Sequence, residues 1–375
     1  MQKTGKLAVT AALVVAFAGA VGWSMTRHQD KERVAIQQEE VQNVSAMTGY
    51  VALDVEPFFG DERVKKILRD QKVPVAAVRM GSRDMAGKVA TGAKADFYFP
   101  SGVLAGNQIA DEAKKANVTV SQTTPFTSPM VVASWKPIAK ILEANGMAKA
   151  LGDRVYSLDM EKLAAVMLAK KRWRDLKGSD AYPVQRSVLV ATTDVRKSNS
   201  AAMYMALISN ALNGDVVTDR TAADATAEKV ADLFKRQGFQ EAFVNGSFDD
   251  YLQIGMGKAP MVFIYEYQMV MSAQAKKAIQ PDMVLMYPSP TIVNKFVLTA
   301  TTGRGKALAE VLSSNAELQK IAVEYGLRVQ SPGLFMEGVK ANGLAVQEQI
   351  QQVIDPPSFE LMGEMVDVVT REMLK

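Results

Sequence analysis

Two spacings of hydrophobic residues alternate along the chain. Apolar runs of about four to eight residues are typical of buried strands, and apolar residues spaced three and four apart indicate amphipathic helices. Predicted strands lie at residues 51–55, 73–80, 96–99, 118–120, 130–135, 187–191, 261–265, 283–286 and 293–299. Predicted helices lie at residues 62–71, 103–116, 137–145, 159–171, 199–212, 222–237 and 358–374. Strands separated by helices indicate an α/β fold with a parallel, doubly wound sheet.

The N-terminal 26 residues contain an apolar segment. No charged residue occurs between Leu7 and Thr26, and two lysines precede this run. Because a membrane-spanning helix needs about 20 apolar residues, residues 1–26 fit an N-terminal membrane anchor. Ala16-Phe17-Ala18 also resembles the cleavage site of a secretory signal peptide, although the apolar run continues beyond it. Both interpretations place the rest of the chain outside the cytoplasm, and the polar residues 27–44 are expected to form a spacer.

The composition excludes several kinds of active site. The 375 residues include no cysteine and one histidine, His28, which lies beside the apolar segment. Disulfides, thiolate metal sites, cysteine nucleophiles and histidine-based triads or zinc sites are therefore excluded from the folded body. No glycine-rich nucleotide motif follows a predicted strand. We therefore expect neither a metal nor a cofactor, and an enzyme is the least favoured class of function.

The net charge of +4 arises mainly near the N-terminus. Residues 1–33 carry five basic and two acidic side chains, which leaves the remainder of the chain close to neutral. Proteins that bind nucleic acids usually have a clustered basic surface. We therefore expect no nucleic-acid partner.

Polar residues follow several of the predicted strands. In parallel α/β sheets, ligands bind beyond the carboxyl ends of the strands, and a helix N-terminus favours an anion. Capping of a helix is the alternative role for residues such as Ser101 and Asn199. The candidate ligand-binding residues are Glu56, Ser82, Arg83, Ser101, Gly102, Thr193, Asp194, Arg196, Asn199, Ser200, Tyr265 and Glu266.

Five segments of the chain resemble a known family. The sequence Phe-Pro-Ser-Gly-Val at residues 99–103, followed by a helix, resembles the third-strand region of bacterial extracellular solute-binding proteins of type II. Residues 127–137 resemble the crossing to the second lobe of these proteins, and residues 192–204 resemble the binding helix of that lobe. Residues 255–266 and 287–291 resemble the last strand of the second lobe and the return crossing. The resemblance covers about residues 48–330, and it is closest to the molybdate- and sulfate-binder-like branch that is often associated with von Willebrand A domains.

The resemblance implies a two-lobed periplasmic-binding-protein type II fold with parallel or mixed sheets and a hinge of two segments. Lobe one would comprise residues 45–130 and 288–375, which include the C-terminal helix, and lobe two would comprise residues 131–287. The chain contains no von Willebrand A domain. The charges of Arg83, Asp84, Asp194 and Arg196 depart from the pattern of the molybdate binders. A zwitterionic or carboxylated organic solute is thus as consistent with the sequence as an inorganic oxyanion.

Three classes of function follow. The first is an extracytoplasmic solute-binding protein, which would close on a small polar or anionic solute and deliver it to an ABC transporter or another membrane partner. The second is a membrane-anchored envelope scaffold that has kept the fold without transport, because a fold alone does not fix a function. The third is an enzyme on the same scaffold. We expect the protein on the periplasmic side of the inner membrane, either anchored by residues 7–26 or released after cleavage.

Overall fold

A mixed β-sheet organises the chain in the computed structural model, which describes residues 45–92, 94–238, 240, 246–275 and 279–375. The strands of this described part are β1 (Met47–Val51), β2 (Val75–Arg79), β3 (Phe97–Phe99), β4 (Ser121–Trp135), β5 (Ala148–Gly152), β6 (Val155–Asp159), β7 (Met261–Tyr265), β8 (Met283–Ser289) and β9 (Val293–Ala300). Their order is β2-β1-β3-β9-β4-β8-β6-β5, and β7 also pairs with β4. The sheet is mixed, because β3 and β4 each pair with β9 in antiparallel fashion, whereas β1 pairs in parallel with β2 and β3. The parallel arrangement that the alternation of strands and helices indicates therefore holds for part of the sheet.

Helices contact many of these strands. The first group is α1 (Glu56–Gly60), α2 (Glu62–Asp70), α3 (Met85–Ala90), α4 (Val103–Lys115), α5 (Lys136–Ala144), α6 (Met160–Leu168) and α7 (Asn199–Asn213). The second group is α8 (Arg220–Gln237), α9 (Gly246–Gln253), α10 (Glu266–Gln274), α11 (Gly303–Ser314), α12 (Ala316–Glu324), α13 (Pro332–Ala341) and α14 (Phe359–Leu374).

The strand β4 changes its partners along its length. Residues 121–129 pair with β9, whereas residues 130–134 pair with β7 and residues 132–135 pair with β8. The chain returns between the same two groups of strands where β8 is followed by β9. Two neighbouring segments therefore connect the sheet formed by β1, β2 and β3 with the sheet formed by β5, β6, β7 and β8.

Three predicted strands differ from the structure. The first strand spans Met47–Val51 rather than residues 51–55. Its centre is Gly49, and because glycine is a weak strand former, the sequence pattern does not indicate a strand there. The structure needs this glycine, since a Cβ there would lie 2.1 Å from the ring of Phe97. Residues 187–191 form only isolated bridges, from Ser187 to Arg172 and from Ala191 to Val262 of β7. Residues 118–120 precede β4 without belonging to it, and the hairpin of β5 and β6 was not predicted.

The C-terminal helix α14 begins as predicted, with Ser358 accepting a hydrogen bond from the backbone N–H of Leu361. Its main packing contacts are not with the strands of predicted lobe one. Instead it packs against α8, and Glu364 pairs with Arg220 of that helix at 2.6 Å. The apolar stripe of α14, which includes Met365 and Val369, needs a helical surface to cover it, and α8 provides that surface.

The predicted anchor or signal peptide (residues 1–26) and the spacer (residues 27–44) lie outside the described residues. Within the part of the chain that the structure does describe, no helix has both the length and the apolar character that a membrane span requires.

Candidate functional site

The carboxyl ends of three parallel strands meet at one edge of the sheet. Strand β1 pairs in parallel with both β2 and β3, so the residues that follow these strands lie together. The hydroxyl of Ser82 accepts a hydrogen bond from the backbone N–H of Ser101 at 2.9 Å. The side-chain amide of Asn294 donates to the Ser101 hydroxyl, also at 2.9 Å. These bonds fix the loops after β2 and β3 relative to each other and to β9.

Asp54 lies at the same edge, three residues after β1. Its carboxylate accepts a hydrogen bond from the hydroxyl of Tyr267 at 2.9 Å. Burial raises the pKa of Asp54 above its usual value, although hydrogen bonds from Ser101 and Tyr267 act in the opposite direction. Tyr267 belongs to α10, so this bond joins two parts of the chain that are far apart in sequence.

Three hydroxyl groups around the start of α7 form a closed set of hydrogen bonds with one another. Thr193 Oγ1 lies 2.7 Å from Ser198 Oγ and 2.9 Å from Ser200 Oγ, and the two serine hydroxyls are 2.8 Å apart. All three residues are buried. Because Ser198 and Ser200 flank the first residue of α7, these bonds hold the N-terminus of the helix in a fixed position.

Two of the charged residues that were predicted to bind a ligand, Asp194 and Arg196, bind each other. The Asp194 carboxylate accepts hydrogen bonds from the backbone N–H, the Nε and the Nη2 of Arg196, at 2.6 to 2.9 Å. The hydrogen bonds from Arg196 lower the pKa of Asp194. Asp194 is buried behind the surface, whereas Arg196 is exposed. The carbonyl of Arg196 accepts a hydrogen bond from Arg83 Nη1 at 3.3 Å, which joins the loop after β2 to the loop before α7.

These loops enclose a cavity of about 340 Å³, which we name the polar chamber. Arg83, Arg196 and Lys197 contribute positive charge to its walls, and Asp54 and Asp84 contribute carboxylates. Partial desolvation lowers the pKa of Arg83, and the charge of the neighbouring Asp84 acts in the opposite direction. None of the carboxylates that the structure describes lies close enough to the Arg83 guanidinium to form an ion pair. The remaining lining residues are Leu53, Gly81, Ser82, Ser101, Ser198, Asn199, Ser200 and Tyr265.

Two long helices begin at this chamber. Neither α4 nor α7 has a side chain that caps its N-terminus by a hydrogen bond, so N–H groups of both first turns are free of such a cap. Gly102 precedes α4 with a φ of +97°, and a Cβ at this position would lie 3.2 Å from Asn199 Nδ2 at the start of α7. The two N-termini thus approach each other closely, and their dipoles favour a negatively charged group between them.

The structure brings seven of the predicted site residues into the polar chamber: Ser82, Arg83, Ser101, Arg196, Asn199, Ser200 and Tyr265. Gly102 follows the lining residue Ser101 in sequence, Thr193 bonds to the lining residues Ser198 and Ser200, and Asp194 bonds to the lining residue Arg196. The other two predicted residues lie elsewhere. Glu266 is fully buried, with its carboxylate bound by Arg328 and Tyr287. Glu56 begins α1 and does not line the chamber.

The candidate ligand-binding residues did not include Asp54, Asp84, Lys197 and Ser198, which also line the chamber. Asp54 was missed because the predicted first strand lies four residues too late, which makes Glu56 the first acidic residue after it. A strand of the same length centred on Gly49 would have identified Asp54. Lys197 and Ser198 lie within the segment that was singled out, between Arg196 and Asn199, so spacing alone could not separate them from their neighbours.

A larger depression of about 570 Å³ lies near the hairpin of β5 and β6. Its lining includes Lys149, Lys162 and Asp159. Lys162 pairs with Asp159 at 2.6 Å, and this pair is exposed. None of the predicted ligand-binding residues lines this depression. The polar chamber therefore remains the candidate site.

Comparison with known proteins shows similarity in structure alone. No family model matches the sequence, and no curated protein matches it. An ABC transporter solute-binding protein from Agrobacterium vitis, solved with bound D-mannitol, is 12% identical with a TM-score of 0.55, over 88% of this chain and 92% of that chain. An ABC transporter structure from Clostridium perfringens is also 12% identical with a TM-score of 0.55, over 87% and 99% of the two chains. The sulfate-binding protein SubI from Mycobacterium tuberculosis is 14% identical with a TM-score of 0.50, over 85% and 96%.

The chain has the type II periplasmic-binding-protein fold. This confirms the fold class that the sequence predicts. In this fold, the polar chamber lies where the loops after β1, β2 and β3 face the start of α7. The structure describes no group of three or more acidic or histidine side chains that could hold a metal ion in residues 45–92, 94–238, 240, 246–275 and 279–375.

Proposed function

We propose that this chain is an extracytoplasmic solute-binding protein that holds a small polar or anionic solute in the polar chamber and presents it to an ABC transporter or another membrane partner. The observation that carries the proposal is the meeting of two uncapped helix N-termini beside Arg83, which forms no ion pair with a described carboxylate. Such an arrangement stabilises an anion through backbone N–H groups and a guanidinium. We propose no catalytic activity.

Lobe one would consist of residues 45–130 and 288–375 and lobe two of residues 131–287. The change of partners along β4 and the return from β8 to β9 support this division. The helix α14 is the exception, because it packs on α8, within the range of lobe two. The structure contains two contacts between the proposed lobes: Arg83 donates to the carbonyl of Arg196, and Gly102 lies close to Asn199. We propose that closure of the lobes forms these contacts.

The same proposal includes the branch of the family and the location of the protein in the cell. The motifs at residues 99–103 and 127–137 support the molybdate- and sulfate-binder-like branch, and SubI binds sulfate by its name. The apolar residues 7–26 support a location on the periplasmic side of the inner membrane with an N-terminal anchor. The scaffold function becomes the better explanation if the chamber binds no solute.

The test begins with native mass spectrometry of the full-length chain, released gently from detergent, followed by identification of any small molecule that dissociates on denaturation. Titration calorimetry with sulfate, molybdate and short carboxylates then measures binding directly. We expect one bound solute per chain and a raised melting temperature in its presence. Arg83→Gln should weaken anion binding by about tenfold or more, because a hydrogen bond to a charged group contributes about 1.5–3 kcal/mol.

Arg79→Gln is the matched control, since Arg79 is an exposed arginine four positions earlier that does not line the chamber. It should leave the affinity unchanged. An apo mass, with no binding of any of these anions to the wild-type chain, would contradict the proposal. Equal losses in both arginine variants would instead indicate a general charge effect and would remove Arg83 from the site.

A further inference from the structure

A second cavity adjoins the polar chamber and has a different character. Its volume is about 200 Å³, and we name it the apolar chamber. The two cavities share Ser82, Arg83 and Asn199 as lining residues, so they meet at the Arg83 side chain. No residue singled out by the sequence lines the apolar chamber apart from these three.

Three helices provide the apolar walls. Leu104 and Ala105 belong to the first turn of α4, and Ala202 belongs to the first turn of α7. The C-terminal helix α14 closes the third side with Phe359, Met362 and Val366. Gln108 and Asp367 are the polar lining residues that the cavity does not share with the polar chamber. The first turns of α4 and α7 therefore contribute apolar side chains to the apolar chamber, while the N-termini of the same helices face the polar chamber.

The surroundings of Phe359 and Gly363 show that α14 does not fill this space. Its side chain is 42% exposed although it stands on the face of α14 that borders the chamber. Gly363 borders the same space one turn later, and a Cβ at that position would have no atom within 4 Å. The helix α14 packs closely on α8 but leaves this gap toward α4, so apolar surface remains uncovered next to the binding site.

We propose that the solute is an organic acid with an aliphatic tail, whose anionic group occupies the polar chamber while its tail passes Arg83 into the apolar chamber. This inference rests on the proposed function, and it identifies the class of solute. Arg83 lies at the junction of the two chambers, where a carboxylate can reach its guanidinium while the carbon chain contacts Leu104, Ala202 and Val366. An inorganic oxyanion has no carbon chain that could contact the walls of the apolar chamber.

The affinity should then rise with the length of the tail. Burial of one methylene contributes about 0.8 kcal/mol, which corresponds to about fourfold in affinity. We expect this increase for each added carbon until the apolar chamber is filled, and no further gain after that. Titration calorimetry of the full-length chain with acetate, butanoate, hexanoate and octanoate measures the series, and sulfate serves as an anion without a tail.

The variant Gly363→Leu fills the apolar chamber without touching the polar one. The open space at Gly363 accommodates the leucine, and leucine favours a helix more than glycine does, so the variant should fold. We expect it to abolish the dependence on tail length while leaving the affinity for acetate and sulfate unchanged. Gly333→Leu is the control, because Gly333 also lies in a helix, α13, with no atom within 4 Å of a Cβ added there, yet does not border either chamber.

The possible outcomes separate this inference from the proposed function. If sulfate and acetate bind but affinity does not rise with tail length, the inference is wrong and the proposed function stands. If affinity rises with tail length but Gly363→Leu leaves that rise intact, the tail lies elsewhere and the inference is again wrong. If neither sulfate nor any carboxylate binds, the proposed function itself fails.

Discussion

Glu266 and Arg328 form a two-point ion pair inside the protein, with Arg328 Nε 2.7 Å from Glu266 Oε2 and Arg328 Nη2 2.9 Å from Glu266 Oε1. Glu266 is the first residue of α10 and has no exposed surface, and the Tyr287 hydroxyl donates a further hydrogen bond to it. Arg328 also donates to the carbonyls of Gln347 and Glu348. The pair therefore ties the end of β7 to the C-terminal part of the chain, beside the crossing strands.

The first prediction concerns the loss of this pair. Arg328→Met should lower the free energy of unfolding by about 3–5 kcal/mol, because it leaves the buried carboxylate of Glu266 without its partner. Urea unfolding of the full-length chain measures the change. The double variant Glu266→Gln with Arg328→Met should recover part of the loss, since no buried charge then remains.

Arg63→Met is the control for that experiment. Arg63 pairs with Asp61 and Glu324 at the surface, where its side chain is 55% exposed. Exposed pairs contribute about 0–1 kcal/mol, so this variant should differ little from the wild type. Similar losses for Arg63→Met and Arg328→Met would show that burial of the Glu266 pair is unimportant.

The second prediction is a dependence of anion binding on pH through Asp54. Burial raises the pKa of this carboxyl above 3.8, so it gains its negative charge at a higher pH than an exposed aspartate. Because Asp54 lines the polar chamber, sulfate should bind more weakly as the pH rises through this raised pKa. Asp54→Asn should bind sulfate more tightly at neutral pH and should lose this pH dependence. Calorimetric titration at a series of pH values tests both effects.

The same group affects stability with a defined sign. Between the unfolded pKa of 3.8 and the higher folded pKa, the native state holds more protons at Asp54 than the unfolded state does. The contribution of Asp54 to stability therefore decreases as the pH rises through this window. Unfolding of the wild type and of Asp54→Asn should diverge across it, and parallel curves would contradict the assignment of the raised pKa.

The third prediction concerns Gly102. Its φ of +97° is unfavourable for any residue with a side chain, and a Cβ would press on Asn199 at 3.2 Å. Gly102→Ala should lower stability by about 1–3 kcal/mol and weaken solute binding, because the added methyl group holds the starts of α4 and α7 apart. Thermal unfolding and calorimetry measure the two effects separately.

Gly214→Ala is the matched control for Gly102→Ala. Gly214 also has a positive φ, +79°, but no atom lies within 4 Å of a Cβ added there. This variant should lose stability through backbone strain and keep its affinity for the solute. If both variants keep full affinity, the approach of Gly102 to Asn199 is not needed for binding.

The fourth prediction concerns the hydroxyl group of Thr193. Thr193→Val removes a buried hydroxyl that bonds to both Ser198 and Ser200, so stability should fall by about 1–3 kcal/mol. Binding should weaken as well, because these bonds position the start of α7. Thr226→Val also removes a buried hydroxyl, within α8 and away from the chamber. It should lower stability without changing affinity, and a loss of affinity in both variants would contradict the role of Thr193.

Local sequence patterns predicted much of the secondary structure. The prediction of β7 at residues 261–265 matches the structure, and the helices α4 and α7 begin at the predicted residues. These elements were predictable because their apolar spacing and their start signals lie within a few residues of each other. The residues 187–191 have the composition of a buried strand, but their partners are set by distant parts of the chain, and they form only isolated bridges.

The sequence by itself determined the α/β class, the exclusion of cysteine and histidine chemistry from the folded body, and the group of polar residues at the strand ends. Only the tertiary structure decided which of those residues line the polar chamber. Asp194 is paired with Arg196, Glu266 is paired with Arg328, and Arg83 forms no ion pair with a described carboxylate. The tertiary structure also decided that α14 crosses to α8 and closes the apolar chamber. The physical reason is that ion pairing and helix packing join residues far apart in sequence, whereas apolar spacing reports only on near neighbours.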